Sequence, residues 1–506
     1  MKNSKKENSI LCVMLFILSV AFVYFFSGST SPICQGFYGD DSAVFQVVGR
    51  AWTKGLLPYV NVFDHKGPIT FFIEALGFSI GNYGVMIIQC LFMWLTMFFT
   101  FKTANEFFDY KWSLGATIST FLVLATSYGT GNYTEEYSLV FIVISLYLGV
   151  KYFNNCHTSV EHPWKYAIWY GISVSCIAMM RLTSAFAICL LVFVILCKLI
   201  INKKGINILY NALGIFGGMI IPIIPFIIYF AIKGALYDMF FGTIIYNVSY
   251  VGESTIFARV GAPYDLTVIA LFTTAMLGIT SVIHLICVGR EKKELGIYSF
   301  LLAAGTTYLF VKMNRYVHYY IIGMPYFVLV VGMAKQIIDQ KEKKVIQKLG
   351  VFATCTMIII QLLLGGYSTF LQIKVNADNQ LYADQYNAAC KQLMSHVPEN
   401  EKDEVMVFGS NTMSQWYLSA DIQPIFKYCF SQGWQSKCCE DMKNEIVTFL
   451  KETPTKWMVV DSDYNTERML ENYCVEYKDI VEEEYELIDT AKTEEQQKCF
   501  QLYRLK

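Results

Sequence analysis

The sequence predicts a polytopic α-helical membrane protein that ends in a water-facing α/β domain. Of its 506 residues, 55% are hydrophobic and 16% are charged, whereas soluble domains carry roughly 25% charged residues. The mean hydropathy is +0.40, and apolar stretches of spanning length recur up to residue 366. Because so many apolar residues need a solvent other than water, we expect most of this part of the chain to lie in the lipid bilayer.

About eleven apolar segments are long enough, or nearly long enough, to cross a bilayer. A spanning segment is expected to be helical, because a helix satisfies its own backbone polar groups in hydrocarbon. The predicted spans cover residues 10–27, 83–101, 112–128, 134–152, 166–181, 183–201, 208–230, 266–288, 297–311, 319–338 and 349–366. The segments around Arg181 leave an alternative open, since one long broken helix there would reverse every later span.

The distribution of lysine and arginine between the loops sets the predicted orientation. With the N-terminus in the cytoplasm and alternating spans, about 18 of these residues fall on the cytoplasmic side. About 8 fall on the opposite side over much longer loops, leaving out the C-terminal domain. Cytoplasmic loops carry the excess of positive charge in membrane proteins. The pattern therefore predicts a multi-pass protein with a cytoplasmic N-terminus and an extracytoplasmic C-terminal domain.

Two domains are predicted, residues 1–366 in the membrane and residues 367–506 outside it. Beyond this boundary charges become frequent and apolar runs become shorter. Residues 405–408 and 457–460 have the pattern of short buried strands, and residues 440–451 that of an amphipathic helix. The alternation of strands and helix predicts a soluble α/β domain.

The first external loop, residues 28–82, is far too long for a simple connector and carries the acidic pair Asp40-Asp41. The stretch AVFQVVGRAWTKG follows with helical spacing of apolar residues, which predicts an amphipathic helix in the membrane interface. A carboxylate held there could accept a proton from an attacking hydroxyl. The alternative is structural, with Asp40 as the N-cap of that helix and Asp41 as a negative charge in its first turn. The catalytic and the structural role can coexist.

The same loop contains the turn PYVNVFDHKGP, with Asp64, His65 and Lys66. Lys66 and His65 could hold a phosphate leaving group, because charge-assisted hydrogen bonds stabilise a developing negative charge. The apolar stretch ITFFIEALGFSIG follows and is too short to span comfortably. We therefore expect the loop to lie on the membrane, with these residues near the lipid headgroups.

Two more clusters fall on the predicted outer face. Glu135 and Glu136 precede a span and could bind a metal or sugar hydroxyls, or act as first-turn charges behind a Thr134 cap. Arg181 lies between two apolar stretches, where an arginine is costly. A lipid phosphate is its natural partner there, and the alternative is an arginine that snorkels to the headgroups.

A further outer cluster, KMNRYVHYY, contains Arg315 and His318 just before a span. Cations among aromatic side chains suit anion binding, and tyrosines at such a position are equally typical of interfacial anchoring. Acidic and cationic clusters thus lie together on one predicted side of the membrane.

Composition excludes some functions and leaves others without support. The formal net charge of −1 excludes a generally basic nucleic-acid binder. Neither a Walker loop nor a GxGxxG fingerprint after a strand is present, so nucleotide chemistry has no support. The 15 cysteines show no CxxC pair and no zinc-like spacing, although some in the C-terminal domain could pair. A divalent metal at Asp40 and Glu135 is compatible with the sequence but not required by it.

The order of these features resembles a known family, the GT-C membrane glycosyltransferases, in the branch of protein O-mannosyltransferases and lipid A aminoarabinose transferases. Members share one span, a long outer loop with an acidic pair, an Asp-x-Lys-x-Pro turn, further spans and an outer domain. Their first loop usually has an Asp-Glu pair followed by an aromatic residue, and then DKPP. This chain has Asp40-Asp41 with Phe45, and then Asp64-His65-Lys66-Gly67-Pro68. An aspartate thus takes the place of the glutamate, His65 is inserted, and Gly67 replaces a proline.

The resemblance implies transfer of a sugar from a polyprenyl-phosphate carrier to an extracytoplasmic acceptor at a bacterial plasma membrane. The family's catalytic aspartate matches Asp41 best, because Phe45 follows it by four residues, and Asp40 is the second candidate. The implied reaction is an inverting displacement in which Asp41 takes the proton of the acceptor hydroxyl.

The resemblance also assigns the cationic residues. Lys66 matches the family lysine that contacts the lipid phosphate, and it would stabilise the departing phosphate together with Arg181 or Arg315. Such an enzyme needs no nucleotide site, which agrees with the absence of a nucleotide motif.

Two other classes of membrane protein remain as alternatives. A transporter or flippase of lipid-linked sugars would favour charges deep inside several spans and symmetric halves, of which the sequence has little. A polysaccharide polymerase or ligase also uses lipid-linked sugars, but such proteins typically have their large loop late in the chain.

Overall fold

The computed structural model describes residues 5–156, 159–253, 264–288, 292–313, 316–340, 345–408, 413–430, 439–461, 475–494 and 498–506. The chain divides into two compact units. Unit 1 consists of Met1–Phe26, Gln89–Phe226 and Ile256–Ile373. Unit 2 consists of Ser27–Ile88, Ile227–Thr255 and Lys374–Lys506. The first external loop and the C-terminal region therefore belong to one compact unit, which the sequence did not predict.

Helices make up most of the described chain. In chain order they are α1 (Lys5–Phe26), α2 (Asp40–Thr53), α3 (Pro68–Ile80), α4 (Gly84–Ala104), α5 (Tyr110–Leu124), α6 (Thr134–Asn155), α7 (Trp164–Arg181), α8 (Phe186–Ile201), α9 (Gly205–Ile232), α10 (Leu236–Phe240), α11 (Tyr246–Glu253), α12 (Tyr264–Cys287), α13 (Lys293–Lys312), α14 (Phe327–Ile338), α15 (Val345–Met394), α16 (Ser414–Ser419), α17 (Glu440–Glu452) and α18 (Val475–Glu484). Short 3₁₀ segments, Leu182–Ala185 and Val317–Tyr326, precede α8 and α14.

Within the residues that the structure describes, nine helical runs are long and apolar enough to cross a membrane. Every predicted span overlaps a helix, and the two counts differ for two reasons. Helix α5 has only 15 residues, and residues 164–201 form one apolar run of 38 residues. The predicted polytopic helical fold is confirmed.

The two ends of α6 show that α7 and α8 are separate antiparallel passes. Arg181, at the end of α7, pairs with Glu135 in the first turn of α6. Lys198, near the end of α8, lies 3.0 Å from the Sγ of Cys156, just beyond the other end of α6. The chain therefore travels the length of α6 in one direction along α7 and returns along α8. Of the two alternatives at Arg181, the contacts favour two helices.

Several helix ends that the charge pattern assigns to the cytoplasm meet at one end of unit 1. The Asn154 side chain donates to the carbonyl of Glu106 at 3.4 Å and accepts from Gln336 at 3.1 Å. His284 lies 2.8 Å from the Gln336 side-chain oxygen. These polar contacts join the segments after α4 and at the ends of α6, α12 and α14, as alternating spans require. The cytoplasmic assignment of this end stays a prediction.

Helices α2 and α3 of unit 2 pack against each other in antiparallel fashion. Gly49 of α2 faces Glu74 of α3, and Trp52 lies edge-on to Phe72, with ring centroids 6.3 Å apart. Residues Ser42 to Ala51 are all buried. The predicted interfacial helix is therefore wrong, because α2 is enclosed by protein and not laid on the headgroups.

Replacing Gly49 by alanine is expected to destabilise the protein by about 1–3 kcal/mol, as overpacking of a close contact does. A Cβ atom at this position would lie 2.2 Å from the Cβ of Glu74 and 2.8 Å from the backbone nitrogen of Ala75. Thermal unfolding in detergent checks this. The matched control is Gly217→Ala, a helical glycine whose added Cβ meets nothing within 4 Å. Equal unfolding midpoints for the two variants would contradict the close crossing of α2 and α3 at Gly49.

The C-terminal region of unit 2 forms a four-stranded sheet in the order β1-β2-β4-β3. Its strands are β1 (Val405–Phe408), β2 (Trp457–Asp461), β3 (Tyr485–Lys492) and β4 (Cys499–Leu505). Strands β1 and β2 are parallel and fully buried, and the other pairings are antiparallel. Helix α17 packs on the sheet through Met442, Ile446 and Leu450. Strands β1 and β2 and helix α17 confirm the predicted α/β elements.

A single helix, α15, runs through the predicted domain boundary at residue 366. Its first part lies in unit 1, and the part from Lys374 onwards lies in unit 2. The described cysteines of unit 2, among them Cys390, Cys429, Cys439 and Cys499, are free. Cys438 and Cys474 lie outside the described residues.

Candidate active site

The acidic pair of the first loop begins α2. Gly39 is the N-cap residue, with a φ of 70°, and as a glycine it has no side chain to supply a capping hydrogen bond. Asp40 and Asp41 both lie in the first turn of the helix, where the helix dipole favours negative charge. The alternative of Asp40 as the N-cap is therefore wrong.

The surroundings of Asp40 change the acidity of its carboxyl group. Its side chain is exposed, yet desolvation by the surrounding protein raises the pKa of the Asp40 carboxyl above its ordinary value. The positive charge of Lys498 lowers the pKa, and the negative charge of Asp41 raises it. A carboxylate with a raised pKa is a stronger base, as general-base catalysis requires. By this property Asp40, the second candidate for the base, is suited to accept a proton, whereas the assignment of Asp41 rests on the resemblance.

The motif Asp64-His65-Lys66 forms a compact turn before α3. The Lys66 backbone nitrogen donates to Asp64 Oδ1 at 2.9 Å, an arrangement typical of an Asx turn. The Lys66 ammonium lies 2.9 Å from Nε2 of His65, and the other ring nitrogen lies 3.7 Å from Asp64. Gly67 is the N-cap of α3, and Pro68 occupies its first position, where proline is favoured. The inserted His65 thus contacts both charged residues of the motif.

Other parts of unit 2 fix this turn from outside. The Tyr59 hydroxyl donates to the Lys66 carbonyl at 2.8 Å, and the Asn247 side chain donates to the His65 carbonyl at 2.8 Å. Desolvation raises the pKa of the Asp64 carboxyl, and the Lys66 charge opposes that rise. Hydrogen bonds to the carbonyls of His65 and Lys66 thus hold these two residues in place beside the desolvated Asp64.

Unit 2 contains both motifs but does not present them at the same end of the α2–α3 pair. The acidic pair begins α2, whereas Lys66 stands just before the start of α3. Because α2 and α3 run antiparallel, the two motifs lie towards opposite ends of the helix pair. This separation was not visible in the sequence.

In unit 1, Arg181 and Glu135 form an ion pair at the start of α6. The Arg181 guanidinium also lies over the Tyr319 ring, with 3.5 Å between its carbon and the ring centroid. The Glu135 side chain is 3% exposed and that of Arg181 is 19% exposed. The arginine is therefore held by a buried carboxylate and an aromatic face, which differs from simple snorkelling to headgroups.

Glu136 binds the protein itself. Its carboxylate accepts hydrogen bonds from the Tyr128 hydroxyl at 2.5 Å, the Gln89 amide at 3.0 Å and the Asn132 backbone nitrogen at 2.7 Å. Tyr133, and not Thr134, is the N-cap residue of α6. Glu136 thus accepts hydrogen bonds from the loop that precedes α6. Its contact with substrate stays a prediction.

His318 stacks face to face on Tyr133, with ring centroids 4.2 Å apart and 8° between the ring planes. Tyr316 lies on the same histidine at 5.8 Å. The aromatic cluster predicted around His318 thus exists in unit 1, together with Arg181 and Glu135. Arg315 lies outside the described residues.

Replacing Arg181 by methionine is expected to lower stability by about 3–5 kcal/mol, because it leaves the buried Glu135 carboxylate unpaired. Adding Glu135→Gln to this variant removes the stranded charge and is expected to recover most of the loss. Thermal unfolding of the two variants in detergent measures the effect. If Arg181→Met is as stable as the wild type, the ion pair has no structural role.

No group of three or more histidine, cysteine, aspartate or glutamate side chains arranged to hold a metal occurs among the described residues. The predicted metal ligands Asp40 and Glu135 belong to different units. A divalent metal stays a prediction.

Sequence reasoning missed residues that matter at this site because they come from distant parts of the chain. Lys498, which acts electrostatically on Asp40, lies between β3 and β4, and Asn247, which holds the turn, lies in α11. The sequence carries no local signal for either contact. Arg50 did carry a signal, since it is a charge within the apolar stretch of α2.

Residues 3–369 match the model of a family described as the putative competence-induced protein Ccs4 N-terminal domain. The chain belongs to this family. No curated protein matches this Ccs4-family chain.

Solved structures identify the fold of the Ccs4-family chain. One is the crystal structure of ArnT from Cupriavidus metallidurans bound to undecaprenyl phosphate, with a TM-score of 0.60 and 10% sequence identity. The match covers 99% of this chain and 98% of that chain. Another is the apo oligosaccharyltransferase of Archaeoglobus fulgidus, with a TM-score of 0.52, 11% identity and coverage of 90% and 70%. Both are members of the GT-C superfamily, so the predicted GT-C-like fold is confirmed.

Proposed function

We propose that this protein is a membrane glycosyltransferase that moves a sugar from a polyprenyl-phosphate donor to an extracytoplasmic acceptor. The observation that carries the proposal is the acidic pair Asp40-Asp41 in the first turn of α2, in a chain with the GT-C fold. The fold supports a membrane glycosyltransferase-like role, and the residues of unit 2 support the chemistry.

In the proposed reaction, Asp41 is the general base and Asp40 is its neighbour in the first turn. The acceptor hydroxyl attacks the anomeric carbon of the donor sugar and transfers its proton to the carboxylate. A new carbon–oxygen bond forms as the bond between the anomeric carbon and the phosphate oxygen breaks, with inversion at that carbon. The polyprenyl phosphate leaves with the bonding electron pair.

Two positively charged side chains are proposed to bind the anionic phosphate of the donor. Lys66, fixed by the turn at the start of α3, is proposed to bind the lipid phosphate through a charge-assisted hydrogen bond when the donor docks. Its place towards the other end of the α2–α3 pair from Asp41 separates it from the step at the anomeric carbon, where the same phosphate is the leaving group. Arg181 is proposed as a second anion-binding residue, since its guanidinium has five donors and Glu135 occupies only part of them. The other residues proposed to bind substrate are Asp64 and His65 of unit 2 and Glu135, Glu136 and His318 of unit 1.

The similarity to ArnT supports the choice of a lipid-linked donor, because that protein was crystallised with undecaprenyl phosphate. A polyprenyl chain also suits a protein whose helices expose many apolar residues to the membrane, such as Ile220 and Ile221 of α9.

A donor panel tests the proposal. Full-length protein in lipid is incubated with radiolabelled polyprenyl-phosphate sugars, with an envelope extract as the source of acceptors. Consumption of one donor, measured as loss of label from the lipid fraction, is the expected result. Long repeating products would indicate a polymerase in place of a single transfer. No consumption of any donor would contradict the proposal.

A further inference from the structure

Helix α2, which begins with the acidic pair, is tied to α16 in the C-terminal part of unit 2. The Arg50 guanidinium donates to the carbonyl of Tyr417 at 2.7 Å and to the carbonyl of Ile422 at 2.5 Å. It also donates to Asp421 Oδ1 at 3.0 Å. Arg50 of the first loop thus caps the C-terminal end of α16, more than 360 residues later in the chain.

The hydrogen bonds of Arg50 to backbone carbonyls are expected to hold α2 against α16 more strongly than its ion pair does. The Asp421 side chain is 91% exposed, and exposed ion pairs contribute little. The Arg50 side chain is 9% exposed, and Tyr417 and Ile422 are buried. The Tyr417 carbonyl also accepts from the Ile422 backbone nitrogen at 3.1 Å, so Arg50 adds a second donor there, and it supplies a donor to the buried carbonyl of Ile422 beyond the end of α16.

The chain just before the acidic pair is bound to α15. The Gln35 backbone nitrogen donates to Gln380 Oε1 at 2.8 Å, and the Gln380 amide donates back to the Gln35 carbonyl at 3.2 Å. The Cys34 thiol donates to the Asn376 carbonyl at 3.4 Å. A side chain that pairs with both backbone groups of one residue fixes the direction of the chain as well as its position.

Gln415 of α16 contacts the chain two residues before Asp40. It accepts from the Tyr38 backbone nitrogen at 3.4 Å and donates to the Tyr382 hydroxyl at 3.1 Å. Helix α16 therefore touches the chain on both sides of the acidic pair, at Tyr38 before it and at Arg50 after it.

We propose that Arg50 is a positioning residue for sugar transfer, which holds the acidic pair at a fixed place against α16 of the C-terminal region. This inference rests on the proposed function and gives the C-terminal region a role in the reaction. A shift of about 1 Å in a catalytic group can cost about 100-fold in rate, so the position of α2 is decisive.

The test compares Arg50→Ala, Arg50→Lys and Asp421→Asn in the full-length protein in lipid. Arg50→Ala is expected to lower kcat about 100-fold, with the donor KM changed by less than about threefold, because donor contacts are kept. Arg50→Lys keeps the charge but loses the paired donors, so it is expected to stay impaired. Asp421→Asn removes only the exposed ion pair and is expected to retain wild-type turnover.

Two further readouts separate positioning from a general loss of folding. Guanidinium ion at a low millimolar concentration is expected to restore turnover of Arg50→Ala, whereas sodium chloride at equal concentration is not. Hydrogen exchange of Arg50→Ala is expected to rise in residues 40–53 and to stay at the wild-type level in α4.

The outcomes are distinct. Faster exchange confined to residues 40–53, with lost and rescued turnover, supports the inference. Unchanged exchange there, or an equal rise throughout the chain, overturns it. This readout tests the hold of Arg50 on α2 even if no donor is consumed, so a failure of the inference and a failure of the proposed function are told apart. Faster exchange with unchanged kcat overturns the catalytic part. An Asp421→Asn variant as impaired as Arg50→Ala overturns the assignment to the carbonyl contacts.

Discussion

Replacing Asp41 by asparagine is expected to lower the turnover of a polyprenyl-phosphate sugar about 10²–10⁴-fold, the usual contribution of a general base. Asparagine has nearly the same shape but cannot accept the proton of the acceptor hydroxyl. Binding of the donor is expected to persist, because the base contacts the acceptor and not the lipid phosphate. Single-turnover release of polyprenyl phosphate and a separate donor-binding measurement check the two parts.

The matched control is Asp40→Asn, the same change at the adjacent position. If Asp41 is the base, Asp40→Asn is expected to keep most of the activity. The pH dependence of the rate gives an independent test of which carboxylate is the base. Desolvation raises the pKa of Asp40, so a reaction that needed ionised Asp40 would lose rate as the pH falls through that raised value. An inactive Asp40→Asn beside an active Asp41→Asn would move the base to Asp40.

Replacing Lys66 by alanine is expected to raise the donor KM at least about 10-fold, since a charge-assisted hydrogen bond contributes about 1.5–3 kcal/mol. The motif lies towards the other end of the α2–α3 pair from Asp41, so a larger effect on KM than on kcat is expected. A group that binds ground state and transition state equally changes KM alone. Steady-state kinetics over a range of donor concentrations measures both constants.

Two controls accompany the Lys66 prediction. Lys66→Arg keeps the positive charge and is expected to lose less affinity. Lys427→Ala removes a lysine elsewhere in unit 2, whose nearest described ion partner, Asp238, lies 3.9 Å away, and it is expected to leave the donor KM unchanged. A kcat loss in Lys66→Ala with an unchanged KM would show that Lys66 acts on the departing phosphate. No change in either constant would assign Lys66 to the turn alone.

The membrane helices and the buried strands could be predicted because each has a strong local pattern. Runs of apolar residues predicted α1 and α9, and the short apolar runs at 405–408 and 457–460 predicted β1 and β2. Strand β4 was missed although buried Phe500 and Leu502 alternate with less buried residues. Strand β3 was missed because only Tyr485 and Ala491 of its eight residues are buried, so YELIDTAK shows no apolar alternation. A single pattern cannot distinguish such a strand from a loop.

The environment of α2 could not be predicted from its spacing. Gln46 and Arg50 gave the helix a polar face, which suggested water or headgroups. In the structure, the Gln46 amide donates to the Ser29 carbonyl, and Arg50 donates to the carbonyls of Tyr417 and Ile422. Buried polar side chains with distant backbone partners have the same pattern as exposed ones, so the sequence alone cannot separate them.

The candidate site shows the same limit. Glu135 and Arg181 were each predicted to matter, but their ion pair joins residues in different helices, and no local rule pairs them. The acidic pair and the DHKGP turn were predicted from their resemblance to a family motif, whereas their separation along α2 and α3 follows from the antiparallel packing at Gly49.

The most direct measurement follows the donor itself in sealed proteoliposomes that contain the protein, with one chosen polyprenyl-phosphate sugar and an acceptor extract. The intact donor, the free polyprenyl phosphate and the leaflet of the remaining donor are quantified together. Sugar transfer predicts that polyprenyl phosphate appears in the amount in which donor is lost, and that Asp41→Asn releases none. Donor recovered intact on the opposite leaflet, with no free polyprenyl phosphate, would contradict the transferase and identify a transporter.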